Sequence, residues 1–291
     1  MDLLKLKNKK IIILGHRNTD IDSIVSGTLL SLLMDYLGIH NEFIILDKNI
    51  DSFAMQLASK YGIPINKKRK VLKNKNLFLV DHIESYKGNN IVGIIDHHPK
   101  NIEEIREELI IDVKSSSCSK LVYDLMVEYE YPIFEKIIKW VVLSMYVDTC
   151  SFKSTKALKK DIAWSELMIN RYNFNKQELY EEGLCVTDMS MGIEKVIKNG
   201  YKKFVFNKTI CSSYIQINEQ SFYPVPYIRA IQRKLAETGD YMWDFIVVNF
   251  YDDTTLEYRV KEYEWCLIKY DKILVRSTDI IPNIKQKYNL K

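Results

Sequence analysis

Cysteine and histidine are scarce in this chain of 291 residues, and their distribution narrows the chemistry open to it. The five cysteines, at positions 118, 150, 185, 211 and 266, form no CxxC pair, so neither a cysteine-based zinc site nor a disulfide framework is expected. The amino terminus does not have the form of a signal peptide. We therefore expect reduced cysteines and a cytoplasmic location.

Long apolar runs are absent as well. The strongest runs, such as residues 11–14, have only the length of a strand, far below the roughly 18 apolar residues that a membrane span needs. A formal charge of +4 is too small for a dominant phosphate-neutralising surface, and no basic stretch is interleaved with aromatic residues. Neither a membrane nor a nucleic acid is therefore an expected partner.

Short, β-branched apolar runs recur through the first 115 residues. They are continuous rather than alternating, which is typical of strands covered on both faces. Segments 23–37 and 52–61 have helical spacing and lie between such runs. The runs are residues 11–14, 43–46, 77–80, 91–95 and 109–111. This order predicts a parallel, Rossmann-like α/β sheet with right-handed crossovers.

The character of the chain changes twice after these strands. Residues 119–182 have mainly helical spacing, and a short polar stretch near 187–192 then precedes a β-rich region with one helix over 226–238. The later predicted strands are residues 203–206, 213–217, 245–250, 256–260 and 272–275. We predict two domains, residues 1–188 with the parallel sheet and residues 193–291 with a smaller, mixed-sheet α+β fold.

Polar, titratable residues directly follow three of the predicted strands. The carboxyl ends of parallel strands form one rim of the sheet, and ligands bind there at the topological switch point. Four of the five histidines fall on this rim, and only His40 lies elsewhere. The rim residues are His16, Asp20, Asp22, Asp81, His82, Asp96, His97 and His98. We expect these side chains to converge.

Imidazole combined with several carboxylates suits manganese, magnesium, zinc or iron. Two such ions roughly 3.5 to 4 Å apart can hold a water as hydroxide and neutralise phosphoryl charge, which predicts hydrolytic phosphoryl transfer. A single aspartate at a strand end can instead cap a helix or satisfy loop backbone. Asp148, which ends a predicted apolar helix, is as compatible with an ordinary turn residue as with a metal ligand.

Four segments resemble, in order and spacing, the successive motifs of the DHH phosphoesterases. The similarity is to the branch that contains the manganese-dependent family II inorganic pyrophosphatases and related exopolyphosphatases. The segments are residues 16–23, 79–82, 96–99 and 148–154, and residues 187–190 resemble the hinge of that family. The resemblance is specific over the first 190 residues and looser beyond them.

The resemblance implies a two-metal centre with the active site in the cleft between the domains. It implies that His16, Asp20 and Asp81 hold one ion, and that Asp22, Asp81, His97 and Asp148 hold the other. Asp81 would bridge two Mn²⁺ ions, with Mg²⁺ or Co²⁺ as alternatives. A homodimer is implied by analogy alone.

The resemblance also assigns roles in substrate binding. His98 would contact the bridging phosphate oxygen and assist the leaving group, with Asp96 orienting a neighbouring histidine. Lys202 and Arg276 would bind the distal phosphate as the second domain closes over the first. Ser277 stands where the family has a lysine, and losing this cation should weaken binding of a multiply charged anion.

The predicted function is hydrolysis of a phosphoanhydride, with inorganic pyrophosphate as the favoured small phosphate substrate and a metal-bridging hydroxide as nucleophile. A short-chain exopolyphosphatase or another small-phosphate phosphoesterase is the alternative within the same chemistry. A non-catalytic metal-binding regulatory or interaction protein is the alternative from another class.

Overall fold

A computed structural model describes residues 1–46, 50, 52–67, 72–84, 86–98, 109–111 and 114–290, with the side chains of residues 52 and 109–111 left aside. The chain forms two compact units. One consists of Met1–Phe152 with Lys156–Gly183, and the other of Lys153–Thr155 with Leu184–Lys291. Within the described ranges, no helix combines the length and the apolar character needed to cross a membrane.

The first unit contains a five-stranded sheet in which every pairing is parallel. Its strands are β1 (Ile11–Leu14), β2 (Asn41–Ile44), β3 (Asn76–Val80), β4 (Asn90–Asp96) and β5 (Leu109–Ile111). Their order across the sheet is β2-β1-β3-β4-β5, which confirms the predicted α/β fold. After β1 the chain forms β2 on one side of β1 and then β3 on the other side. The carboxyl ends of β1 and β3 therefore flank a topological switch point of the sheet.

Helices of the first unit pack on this sheet. They are α1 (Ile21–Tyr36), α2 (Ser52–Lys60), α3 (Cys118–Glu128), α4 (Glu135–Asp148), α5 (Lys159–Tyr172) and α6 (Lys176–Leu184). Ile11 and Ile13 of β1 join the large core cluster with α1, α3 and α4, whereas Ile12 and Leu14 belong to a smaller cluster. This alternation of sides shows that the continuous apolar run of β1 is buried on both faces.

Helix α1 is buried along most of its length. Its Gly27 lies against the ring of Phe43, and a Cβ atom at this position would come 2.2 Å from a ring carbon. Only glycine therefore allows α1 to approach β2 this closely.

The second unit has a mixed sheet with α-helices. Its strands are β6 (Lys202–Val205), β7 (Thr209–Ile217), β8 (Met242–Asn249), β9 (Thr254–Val260) and β10 (Trp265–Tyr270), and its helices are α7 (Ile193–Val196), α8 (Val225–Thr238) and α9 (Ile281–Lys287). The order is β10-β9-β8-β7-β6, with β7 and β8 parallel and the other pairs antiparallel. This sheet confirms the predicted mixed-sheet α+β fold.

The predicted strand at 272–275 is wrong. Within that segment Ile273 forms an isolated bridge with Ser154, and the fifth strand of the sheet is β10, Trp265–Tyr270. Strand β10 lies at the edge of the sheet and its side chains are largely exposed, although residues 265–268 form an apolar run in the sequence. Of the two neighbouring apolar runs, 265–268 and 272–275, the first is the one that pairs with β9.

Candidate metal centre

The turn after β1 places His16 beside Asp20. Nε2 of His16 lies 3.0 Å from Oδ2 of Asp20 and 3.3 Å from Oδ2 of Asp81. Asp20 is the N-cap of α1, and its Oδ1 accepts a hydrogen bond of 3.0 Å from the backbone N–H of Ser23. Asp20 therefore caps the helix with one carboxylate oxygen, while its second oxygen faces His16.

Asp81 follows β3 and has a left-handed backbone, with φ of 66°. Such a conformation is costly for a residue other than glycine and is characteristic of functional sites. Oδ2 of Asp81 accepts a 2.7 Å hydrogen bond from the Ser23 hydroxyl, and Oδ1 lies 3.4 Å from Nε2 of His97. The carboxylate of Asp81 thus lies between His16 and His97. The role of the Ser23 hydroxyl in orienting this carboxylate was not predicted from the sequence.

Asp22 is a buried residue in the first turn of α1. Its Oδ2 accepts a 2.7 Å hydrogen bond from the N–H of Cys118, and its Oδ1 accepts from the N–H of Ser119 and from the hydroxyl of Ser144. Two of these donors are at the amino terminus of α3, where the helix dipole favours an anion. Burial and the negative charge of Asp81 act the other way and raise the pKa of Asp22 to about 7.

His97 follows β4 directly and is buried. Its Nδ1 donates to the carbonyl of Ser115 at 3.1 Å, so Nε2 is the nitrogen turned towards the carboxylates. Nε2 lies 3.4 Å from Oδ2 of Asp148 and 3.7 Å from Oδ2 of Asp22. Neither Nε2 of His97 nor Oδ1 of Asp81 makes a hydrogen bond within the described part of the chain, although both atoms are buried.

The two histidines are oriented in the same way. Nδ1 of His16 donates to the carbonyl of Arg17 at 2.6 Å, just as Nδ1 of His97 donates to Ser115. A backbone carbonyl on one ring nitrogen fixes the tautomer and leaves the other nitrogen as a ligand, which is the usual arrangement of metal-binding histidines. These nitrogens and the buried carboxylate oxygens form a donor set that fits divalent ions.

The ligand atoms divide into groups in which they all lie within 4.8 Å of one another. The first ligand group is His16, Asp20 and Asp81, and the second ligand group is Asp22, His97 and Asp148. A further combination joins Asp81 and His97 with His98. All six residues predicted to hold metal therefore come together, with the Asp81 carboxylate between the two groups.

The negative charge of the centre changes the pKa of both histidines. Burial alone would lower them, but Asp20 raises the pKa of His16 to about 10, and Asp148 and Asp81 raise that of His97 to about 9. For Asp81, burial is outweighed by its contacts with the histidines, which hold its pKa well below the ordinary value. Without metal, the centre therefore favours imidazolium beside carboxylate.

Asp148 is the last residue of α4, and its carboxylate has a partner that the sequence did not reveal. Nζ of Lys156 lies 3.0 Å from both Oδ1 and Oδ2 of Asp148. Burial lowers the pKa of Lys156, but Asp148 outweighs this effect and the pKa is raised above its ordinary value. A lysine eight residues after Asp148, in a chain with 42 lysines and arginines, carries no sequence signal for such a contact.

His98 lies at the edge of the centre. Its Nδ1 donates to Oδ1 of Asp96 at 2.8 Å, and its side chain is 26% exposed. The His82 ring, by contrast, contacts backbone groups. Its Nε2 lies 3.3 Å from the carbonyl oxygen of Leu14, and its Nδ1 accepts a hydrogen bond from the N–H of Glu84. Asp96 therefore orients His98, while His82 ties the ends of β1 and β3 together.

A cavity of about 190 Å³ opens beside His16. It is lined by Gly15, His16, Arg17, Leu46 and Tyr86.

Lys202 and Arg276 both lie in the second unit. Lys202 is exposed on β6, and Nη1 of Arg276 donates to the carbonyl of Gly200, two residues before Lys202. The Arg276 guanidinium also lies 5.8 Å from the centre of the Tyr214 ring, and burial lowers its pKa to about 10. Ser277 is exposed. The two predicted phosphate-binding cations are thus held by neighbouring segments of one unit.

Comparison with known proteins confirms the resemblance. Residues 10–147 match the model of the DHH family, N-terminal domain, a range that includes five of the six predicted metal residues and ends just before Asp148. A relative from Enterococcus faecalis (strain ATCC 700802 / V583), described as a probable manganese-dependent inorganic pyrophosphatase, is 26% identical over 217 residues, which are 69% of each chain.

Two solved structures share the fold. A protein of Methanococcus jannaschii, described as a family II inorganic pyrophosphatase, matches with a TM-score of 0.78 and 18% identity over 96% of this chain and 99% of its own. An exopolyphosphatase-related protein of Bacteroides fragilis matches with a TM-score of 0.51 and 17% identity over 88% and 81%. At identities of 18% and 17%, these two matches show the fold of the chain alone.

Proposed function

We propose that this chain, whose residues 10–147 match the model of the DHH family, N-terminal domain, hydrolyses a phosphoanhydride, with inorganic pyrophosphate as the favoured substrate. The observation that carries this proposal is the pair of ligand groups on either side of the buried Asp81 carboxylate. The description of the Enterococcus faecalis relative supports both the phosphate substrate and manganese.

The donor atoms suggest how divalent ions would be held. His16, Asp20 and Asp81 would hold one ion, and Asp22, Asp81, His97 and Asp148 the second. Manganese is the favoured ion, with Mg²⁺ or Co²⁺ as alternatives. When bound, such ions lower the pKa of water and neutralise charge on phosphoryl oxygens.

His98 is proposed to supply the proton for the leaving phosphate. Its Nδ1 is engaged by Asp96, so the proton would leave from Nε2. Nδ1 also lies 3.6 Å from Oδ1 of Asp81, which places the ring beside the ligand groups. A histidine fixed by a carboxylate at one nitrogen and partly exposed at its edge is suited to general acid catalysis.

Lys202 and Arg276 are proposed to bind the phosphate that does not react. The Gly200 carbonyl already orients the Arg276 guanidinium, which lowers the entropic cost of binding an anion through a two-pronged hydrogen-bonded fork. Lys202 would contribute a second, more mobile positive charge.

A short-chain exopolyphosphatase or another small-phosphate phosphoesterase is the second candidate. The exposed Ser277 supports a substrate other than pyrophosphate, because it replaces the lysine that the resemblance places in the pyrophosphate-binding segment.

The deciding experiment is a panel assay of phosphate release by the purified protein with Mn²⁺, Mg²⁺ or Co²⁺. Pyrophosphate, tripolyphosphate and a simple phosphomonoester would be compared. We expect release from pyrophosphate with Mn²⁺. Asp81→Ala should abolish it by damaging both ligand groups, whereas Asp124→Ala, which changes an exposed carboxylate of the same unit, should not.

Other outcomes would separate the alternatives. Release from tripolyphosphate but not from pyrophosphate would favour the exopolyphosphatase. Tight Mn²⁺ binding without release from any substrate would instead indicate a non-catalytic metal-binding protein. Failure to bind any divalent ion would overturn the whole proposal.

A further inference from the structure

Lys156 places a positive charge beside the centre, and this charge opposes metal binding. Its ammonium donates to both oxygens of Asp148 at 3.0 Å, and the two side chains are only 15% and 17% exposed. Oδ2 of the same carboxylate lies 3.4 Å from Nε2 of His97. The ammonium is thus directly adjacent to the second ligand group, where a divalent ion would need the same oxygens.

The backbone of Lys156 is held in place. Its carbonyl accepts a hydrogen bond from the Ser116 hydroxyl, and that hydroxyl in turn accepts from the N–H of Leu158. The N–H of Ser116 donates to Asp161 at the start of α5. The preceding residue, Ser115, supplies the carbonyl that orients His97. One short segment therefore positions both the ligand nitrogen and the competing ammonium.

The first ligand group differs in this respect. Among the described residues, the ion pairs of Asp20 and Asp81 are formed with histidines, which can lose their charge when a metal binds. A lysine ammonium cannot lose its charge as readily. A divalent ion at Asp148 must therefore break a charge-assisted hydrogen bond and remain near a fixed positive charge.

We propose that Lys156 is an internal competitor of the divalent ion at Asp148, and that it sets how tightly the second ligand group binds metal. The proposal rests on the proposed function only in requiring that the centre bind divalent ions. In the absence of metal the ammonium neutralises Asp148, and on metal binding it is displaced. Lys156 consequently weakens metal binding at the second ligand group.

Calorimetric titration of the full chain with Mn²⁺ tests this proposal by comparing Lys156→Met with the wild type. Lys156→Met removes the charge-assisted hydrogen bonds to Asp148. The dissociation constant of the weaker Mn²⁺-binding step should therefore fall by about tenfold or more. Lys156→Arg, which keeps the charge, should retain the weak step. Equal or weaker Mn²⁺ binding by Lys156→Met would overturn the proposal.

Lys120 offers a matched control in the same unit. Its ammonium also donates to both oxygens of one carboxylate, that of Asp124, at 2.6 and 2.7 Å, and its side chain is 10% exposed. Lys120→Met should leave both Mn²⁺ affinities unchanged. If wild type binds two ions and hydrolyses pyrophosphate while Lys156→Met binds them identically, this inference fails and the proposed function stands. If no variant binds Mn²⁺, both fail.

A second measurement uses the wild-type protein and does not depend on the folding of a variant. Amine-selective chemical labelling followed by peptide mass spectrometry would compare Lys156 with Lys120, with and without Mn²⁺. Displacement from Asp148 should raise the labelling of Lys156 relative to Lys120 at saturating metal. An unchanged ratio at saturation would contradict displacement.

Discussion

Metal binding by this centre should release protons, and the number follows from the local pKa values. His16 and His97 have pKa values of about 10 and 9, so near neutral pH both rings carry a proton on the nitrogen that faces the carboxylates. That proton must leave before the nitrogen can bind an ion. Asp22, with a pKa of about 7, contributes a further fraction. We expect about two and a half protons per filled centre at pH ~7.

The sign of the pH dependence follows from the same values. Since the metal-free state binds more protons than the metal-bound state, the apparent Mn²⁺ affinity rises with pH. Two displaced protons correspond to about a hundredfold gain in the overall binding constant per pH unit. The increase in Mn²⁺ affinity should level off as the pH passes the pKa of His97, about 9, and then the pKa of His16, about 10.

Calorimetry in buffers of different ionisation enthalpy measures this release directly. The slope of the observed binding enthalpy against buffer ionisation enthalpy gives the number of protons exchanged. His97→Asn should reduce the slope by about one proton. His40→Asn, a change at the exposed histidine outside the centre, should leave it unaltered. A wild-type slope of zero near neutral pH would refute the reasoning.

Three further predictions concern stability and substrate affinity. Ser144→Ala removes the hydroxyl that donates to the buried Asp22 and should lower the free energy of unfolding by about 1–3 kcal/mol, measured by urea unfolding of the metal-free protein. Gly27→Ala forces a methyl group against the Phe43 ring and should cost about 1–3 kcal/mol in the same assay; an unchanged midpoint would show that the two segments can separate. Ser277→Lys should lower the Michaelis constant for pyrophosphate, and unchanged or worse kinetics would show that this segment does not face the substrate.

The sequence predicted those features that depend on local order. Strands β1 and β3 contain continuous apolar runs because their side chains are buried on both faces of the sheet, and this character is visible without knowing the neighbouring strands. The polar residues of the centre follow β1, β3 and β4 directly. Parallel pairing alone brings strand ends together, so His16, Asp81 and His97 could be grouped before any contact was known.

Contacts between distant segments could not be predicted in this way. Ser144 reaches Asp22 across 122 positions because α1 and α4 pack together, and nothing in the sequence around Ser144 indicates that contact. The position of the Lys156 ammonium beside Asp148 depends on the conformation of the turn after α4, and the sequence does not distinguish this lysine from the others. Strand β10 begins with an apolar run at 265–268, yet the neighbouring apolar stretch at 272–275 was assigned as the strand in its place. Which of the two runs pairs with β9 depends on contacts that the sequence does not show.

Asp22 joins three helices through one carboxylate: it belongs to α1, accepts from the first N–H groups of α3 and accepts from Ser144 of α4. A chain in which these helices had not yet docked would lack this half of the donor set. Binding of a divalent ion by the second ligand group would therefore follow the docking of these three helices during folding, so newly made protein would acquire this ion only after its interior has assembled.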